Sequence, residues 1–436
     1  MSEKSPIVTY SEINRAFNKN HEAIMSKAHQ EAEKRTDDLV EAESKLAALG
    51  NALKVLEAAD AQAQSRVLVS PDHRVASLLQ TFLAKKAADK AQLKAMPSGL
   101  LRAQFNDKDI LGWIGSFFTW WKRIIPAEWR EAPAAPEPLP DNPKTFRVGL
   151  LGDWGTGRYG APESARSIEE VRNVTKDGRG YKLIMHLGDV YYSGDDDEVR
   201  DHFLKFWPKN EGATSRACNS NHEMYTGGHA YFKQTLKKFK QAASHFALQN
   251  DHWIFVGLDT AYEDKDLAKN QVAWLTNIVN NAGGRRVILF SHHQPFSWLE
   301  EQHPKMTGKL GELLKGKKIF GWYWGHEHRC VLYDKHEEWG LIGRCVGHGG
   351  YPYFRKDWET LGAKKMKGNS NWRVLTKRNF APGGIVLDGF NPFIDKDDRP
   401  DKYGPQGYMT LEFDGPRLNE IIHAPDGMHF LERQLV

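Results

Sequence analysis

The spacing of apolar positions changes along the chain and divides it in two. Residues 11–60 contain no proline and are rich in Ala, Glu, Lys and Leu, the composition of a long helix. Within them Leu39, Ala42, Leu46, Leu49, Leu53 and Leu56 recur at alternating intervals of three and four, the seam of a heptad pattern interrupted only by Gly50. A second stripe, Val75, Leu78, Leu79, Phe82 and Leu83, lies in residues 75–94 behind Pro71 and Asp72, a helix start. Two arrangements satisfy both stripes: a coiled coil that pairs two copies of the chain as a homodimer, or a helical hairpin that covers one stripe with the other.

The most aromatic stretch comes next, residues 113–125. Trp113, Phe117, Trp120, Trp121 and Ile124 fall on one helical face, with Lys122 and Arg123 beside it. Such a face suits peripheral contact with a membrane or packing against a neighbouring domain. Prolines at 133, 136, 138, 140 and 143 then make an extended spacer. The expected organisation is a helical region over 1–131, a proline-rich linker over 132–145 and a chemical domain over 146–436.

From Phe146 the pattern becomes short apolar strands alternating with helices, the signature of an α/β fold. Strands are expected at 146–151, 181–185, 246–248, 253–258, 286–290, 318–324 and 341–346, with helices at 163–175, at 198–206 and from 271. Asp414-Gly415 between 407–413 and 418–422 marks a closing hairpin. Residues able to do chemistry cluster at the strand ends: Gly152-Asp153, Gly188-Asp189-Val190-Tyr191-Tyr192, Asn219-Ser220-Asn221-His222, His292-His293 and Gly325-His326-Glu327-His328. Open α/β sheets place ligands in the crevice beyond the carboxyl ends of their strands. Mixed oxygen and nitrogen donors there suit iron, manganese or zinc.

Charge and cysteine content narrow the setting. Sixty basic and 56 acidic residues give a formal charge of +4, which makes no electrostatic case for nucleic acid on balance. Three cysteines without a CxxC spacing form neither a disulfide framework nor a zinc knuckle. The N-terminus lacks the apolar core of a secretory signal, and no run reaches about 20 apolar residues. A cytoplasmic protein is expected.

Taken together, GD, GDxxY, NH, a strand ending in His, and GHxH resemble the calcineurin-like metallophosphoesterase superfamily, and within it the purple acid phosphatase type. Gly155 stands where most of the superfamily has a histidine, and Tyr192 supplies the tyrosine three residues after the second aspartate. The resemblance implies a four-layer αββα sandwich and two metal ions. Asp153, Asp189, Tyr192 and His328 would hold the first, and Asp189, Asn221, His292 and His326 the second. It also implies iron at the tyrosine position, with zinc, manganese or iron beside it. The implied reaction is attack of a metal-bound hydroxide on a phosphate ester, with His222 as general acid and His293 contacting the phosphate. Ser220 replaces the family's glycine before Asn-His, and the adjacent histidines leave the ligand match ambiguous by one residue. His348, in the glycine-rich turn 347–350, is a substrate contact or a solvent-facing turn residue. Basic segments at 305–318 and 364–378 flank the crevice in sequence. The substrate is a phosphorylated small molecule or, alternatively, a phosphodiester of a nucleotide or lipid head group. A further alternative is a non-catalytic scaffold on the same fold.

Overall fold

A computed structural model describes residues 17–19, 22, 39–63, 72–89, 117, 121, 124–155, 157–174, 180–210, 212–394, 396 and 399–436. The chain divides into two compact units, Met1–Ile125 with Tyr225–Gly227, and Pro126–Met224 with Gly228–Val436.

In the first unit, helices α1 (Leu39–Ala63) and α2 (Arg74–Asp89) carry the two stripes read from the sequence. Leu46, Leu49, Leu53 and Leu56 are buried in one cluster with Leu78, Leu79 and Phe82, so the stripes cover one another as in the hairpin arrangement. Gly50 interrupts the seam because Phe17 packs there: an added Cβ would stand 3.3 Å from its ring. Of the aromatic stretch only Phe117, Trp121, Ile124 and Ile125 are described. Phe117 is buried edge-on to Phe82 at 5.4 Å. Trp113, Trp120, Lys122 and Arg123 lie outside the described residues. Among the described residues no helix is long and apolar enough to cross a membrane.

The second unit is built on two sheets. The smaller runs in the order β16 (His429–Gln434), β15 (Arg417–His423), β14 (Tyr408–Asp414), β2 (Thr145–Leu151), β3 (Tyr181–His186), β4 (Thr214–Ala217). The larger runs β1 (Glu137–Pro138), β5 (Phe246–Gln249), β6 (Trp253–Gly257), β7 (Arg286–Ser291), β8 (Ile319–Trp324), β10 (Ile342–Val346), β9 (Cys330–Tyr333), β13 (Gly384–Leu387), β12 (Trp372–Leu375), β11 (Lys364–Lys365). Period-2 alternation sends Phe146, Val148 and Leu150 of β2 and Trp253 and Phe255 of β6 into one shared core, which packs the sheets face to face. The opposite faces are covered by helices. Helix α3 (Ala161–Val174) contributes to one outer cluster and α4 (Gln271–Asn280) to the other. The layers are therefore αββα, as expected.

The proline-rich stretch read as a spacer is bound to the second unit. β1 pairs with β5 at the edge of the large sheet, Leu139 N donates to Gln249 O at 2.7 Å, and Trp274 Nε1 donates to Pro133 O at 2.8 Å. Missing N–H groups confine proline to sheet edges, which is where this stretch lies.

Parallel pairing is what collects the strand ends. Leu151 is in register with His186, and His186 with Ala217. The residues after β2, β3 and β4 therefore emerge side by side. In the other sheet Ser291 is level with Trp324, and Trp324 with Cys345.

Candidate metal centre

Asp153 and Asp189 come directly after β2 and β3, and both are buried. Both adopt left-handed backbone, as do His326 and His328 after β8, with φ of 54°, 76°, 68° and 52°. Non-glycine residues pay for that conformation, and such strain concentrates at functional sites. Gly188 has φ of 103°, and a Cβ there would fall 2.5 Å from His292 Nδ1. Glycine thus lets the two sheets' loops meet.

The donor atoms fall into two groups that share one carboxylate. In the first, the Tyr191 hydroxyl lies 3.2 Å from Asp153 Oδ1, 2.9 Å from Asp189 Oδ2 and 2.7 Å from His328 Nε2. In the second, His292 Nε2 lies 2.8 Å from Asn221 Oδ1, 3.2 Å from Asp189 Oδ1 and 3.2 Å from His326 Nδ1. Asp189 turns a different oxygen to each group. His292 Nδ1 donates to the Leu187 carbonyl at 2.9 Å, leaving Nε2 as a lone pair aimed at other lone pairs. A cation would make that convergence favourable, and ligand atoms around an ion at about 2.0–2.2 Å stand roughly 3 Å apart.

Electrostatics point the same way. Burial and the neighbouring Asp189 charge push the Asp153 carboxyl well above its usual range. Burial opposes ionisation of Asp189 too, but His292, His222 and His326 hold it well below the usual range. Asp153 Oδ2 is buried without a hydrogen bond. Burial lowers His328, keeping the imidazole neutral and available as a ligand. Burial and the two carboxylates push the Tyr191 phenol well up, so it keeps its proton until a cation offsets them. The residues present fit a pair of metal ions.

Of the sequence-predicted residues, Asp153, Asp189, Asn221, His292, His326 and His328 come together, and the tyrosine does not obey the expected count. The phenol brought to the carboxylates is that of Tyr191, whereas Tyr192 presents its backbone carbonyl to His222 Nδ1. The left-handed turn at Asp189, succeeded by a bridge from Val190 to Gly155, ends the strand alternation on which a simple offset depends. Between the adjacent histidines, His292 joins Asn221 and Asp189. His293 sits beside them, its Nδ1 3.0 Å from Thr260 Oγ1 and its Nε2 buried without a hydrogen-bond partner. Histidines 292, 293 and 326 bring ring nitrogens within 4.8 Å of one another. His222 Nε2 lies 3.9 Å from Asp189 Oδ2. Ser220, where glycine was expected, donates from Oγ to Glu223, whose carboxyl burial and the Asp189 charge push up to about 8.

Three neighbours escaped sequence reasoning or were read differently. His303, in a loop with no periodic signal, is buried with its ring 5.9 Å from that of His293. Tyr351 lies with its ring tilted 4.3 Å from that of His328 and 4.5 Å from that of Tyr191; its signal was the glycine-rich turn just before it. His348 within that turn is fully buried rather than solvent-facing, and neither ring nitrogen has a hydrogen-bond partner.

Known proteins share parts of this chain. Residues 146–330 match the calcineurin-like phosphoesterase family. No curated protein matches the chain. Among solved structures, the purple acid phosphatase PPD1 from yellow lupin (Lupinus luteus) seeds is similar at 14% identity and TM-score 0.46, over 66% of this chain and 53% of its own. This chain thus spans about half of that phosphatase. GAP50, described as the anchor in the inner membrane complex of Plasmodium, is similar at 12% identity and TM-score 0.42, over 67% of this chain and 88% of its own.

Proposed function

We propose, since residues 146–330 match the calcineurin-like phosphoesterase family, that the chain is a phosphate-ester hydrolase that works through two metal ions bridged by Asp189. The observation that carries the reading is the division of the Asp189 carboxylate, Oδ2 toward Tyr191 and Oδ1 toward His292. Asp153, His328 and a tyrosine phenol would complete the first set, and Asn221, His292 and His326 the second. A phenolate is a hard anionic donor, which favours iron in the first position, with zinc, manganese or iron in the second. Ions held there supply charge for the phosphoryl oxygens and acidify water.

The chain's own residues do the rest. His222 Nδ1 donates to the Tyr192 carbonyl, which fixes the ring and leaves Nε2, on the Asp189 side, to deliver a proton to the leaving alkoxide. His293 presents a buried Nε2 without a protein partner, suited to a phosphoryl oxygen. Burial and the neighbouring His326 and His292 keep that ring neutral, so it contacts by a single hydrogen bond rather than as a counter-charge. A phosphorylated small molecule is the substrate class proposed. The test pairs metal content with turnover of a chromogenic phosphate monoester and its matched diester. Asn221→Ala should lose about one metal per chain and most activity. His222→Ala should keep both metals while kcat falls roughly 10²–10⁴-fold, the range for a general acid. Wild-type kcat in His222→Ala would remove the acid assignment, and full metal content in Asn221→Ala would remove the second ligand set.

A further inference from the structure

The strands that deliver the metal centre start from an opposite rim, and that rim carries charge the chemistry does not use. β7, β8 and β10 are parallel, so their first residues share one edge, and antiparallel β9 ends there. Arg285 and Arg286 open β7, Lys317 and Lys318 precede β8, and Lys335 comes after β9; all five line one cavity of about 560 Å³. The six residues of β7, at roughly 3.3 Å each, put close to 20 Å between this rim and His292. The basic run at 315–318, which flanks the crevice in sequence, thus lies across the sheet from it.

Counter-charge is scarce. Glu337 is the single carboxylate on the cavity wall, and Lys377 engages it at 2.5 Å. Among the described residues none of the five cations forms an ion pair, yet several are held in place. Arg286 Nη1 donates to Pro416 O at 2.6 Å, and its guanidinium lies 5.4 Å from the Trp253 ring and 5.5 Å from that of Phe320. Arg285 Nε donates to Ala282 O at 2.6 Å. The Lys317 stem crosses Gly340, where an added Cβ would stand 3.1 Å from Lys317 Cδ. Like charges gathered and fixed in a concavity repel one another and focus a positive potential. An anion relieves both.

We propose that this rim is a second anion-binding site, separate from the metal centre, that takes a small oligophosphate. A single phosphate dianion would leave most of the positive charge unmatched, whereas a short phosphate chain spreads several charges over the volume of a small-ligand pocket. The remaining guanidinium donors suit phosphate oxygens. A net charge of only +4, with the unmatched cations gathered in one depression of about 560 Å³, favours a compact ligand over a nucleic acid.

The test is isothermal titration of the full metal-loaded chain with bis(methylene)triphosphonate, a tripolyphosphate analogue that a phosphoesterase does not cleave. Wild type and Asn221→Ala should bind within twofold of each other. Lys318→Glu/Lys335→Glu should bind at least tenfold more weakly while turning over a phosphate monoester at the wild-type rate, which also reports that it is folded. Equal affinity in the charge-reversed variant, loss of binding confined to Asn221→Ala, or no binding by wild type at millimolar analogue would each overturn the proposal.

Discussion

At the scale of single residues, the centre depends on which atom each side chain presents. Asp189 faces two donor groups because its two oxygens diverge, and His292 faces one because Nδ1 is committed to the Leu187 carbonyl. The tyrosines illustrate how little separates a candidate ligand from a scaffold. Tyr191 brings a hydroxyl to within 2.9 Å of Asp189 Oδ2, and Tyr192 brings a carbonyl to His222. If iron occupies the first position through a phenolate, Tyr191→Phe should abolish the visible charge-transfer band of the iron-loaded protein. Tyr192→Phe keeps the backbone carbonyl and should keep the band. The opposite pattern, read by absorption spectroscopy on both variants, would return the ligand role to Tyr192. Aspartates and histidines at strand ends were legible in the sequence because an apolar run stopping at a polar residue marks the end of a strand. The tyrosine was not, since its direction is decided by a left-handed turn at Asp189, with φ of 76°, that periodicity cannot register.

At the scale of elements, parallel pairing converts separate strand ends into one site, and the approach of loops from two sheets sets its tolerance. Strands β2, β3, β5, β6, β7, β8 and β10 and the β14/β15 hairpin were legible from apolar runs and turn residues. β1, β11, β12, β13 and β16 were not, because they are short or carry polar and charged residues that break the apolar run. The loop after β10 crosses the first donor group so closely that a Cβ on Gly347 would stand 2.6 Å from Asp153 Oδ2 and 2.9 Å from His328 N. Backbone cannot yield as a flexible side chain does, so the carboxylate must move. Gly347→Ala is expected to weaken metal binding at the first position by about 10–100-fold, the usual effect of disturbing what orients a ligand. Gly308→Ala, with nothing within 4 Å of its added Cβ, should leave metal content unchanged. Equal metal content in the two variants would show that Asp153 has room to spare.

At the scale of the whole second unit, the sheets are joined by charge as well as by their apolar core, and the buried ionisable groups make the fold sensitive to acid. Arg344 of β10 reaches across to Glu420 of β15 at 2.8 Å, and Arg433 meets the same carboxylate. Burial disfavours a charge at Glu420, yet these two arginines hold its pKa below the usual carboxylate value. Its stabilisation is therefore present above that usual value and is lost as the pH falls through the folded one. Histidines act at higher pH. Burial lowers His348 and His423 from 6.5 to about 3. Between those two pH values the unfolded chain binds protons that the folded chain excludes, so stability falls with decreasing pH at up to about 1.4 kcal/mol per unit for each histidine. From pH 7 to pH 5 the pair should remove roughly 4 kcal/mol, read as a lower urea midpoint at constant m-value. His348 has no hydrogen-bond partner for either ring nitrogen, so His348→Leu removes its proton without orphaning a polar group. That variant should lose about 2 kcal/mol less stability than wild type over the same interval. An identical pH dependence in His348→Leu and wild type would mean that His348 takes up its proton in the folded state, and that the turn over the metal centre admits water.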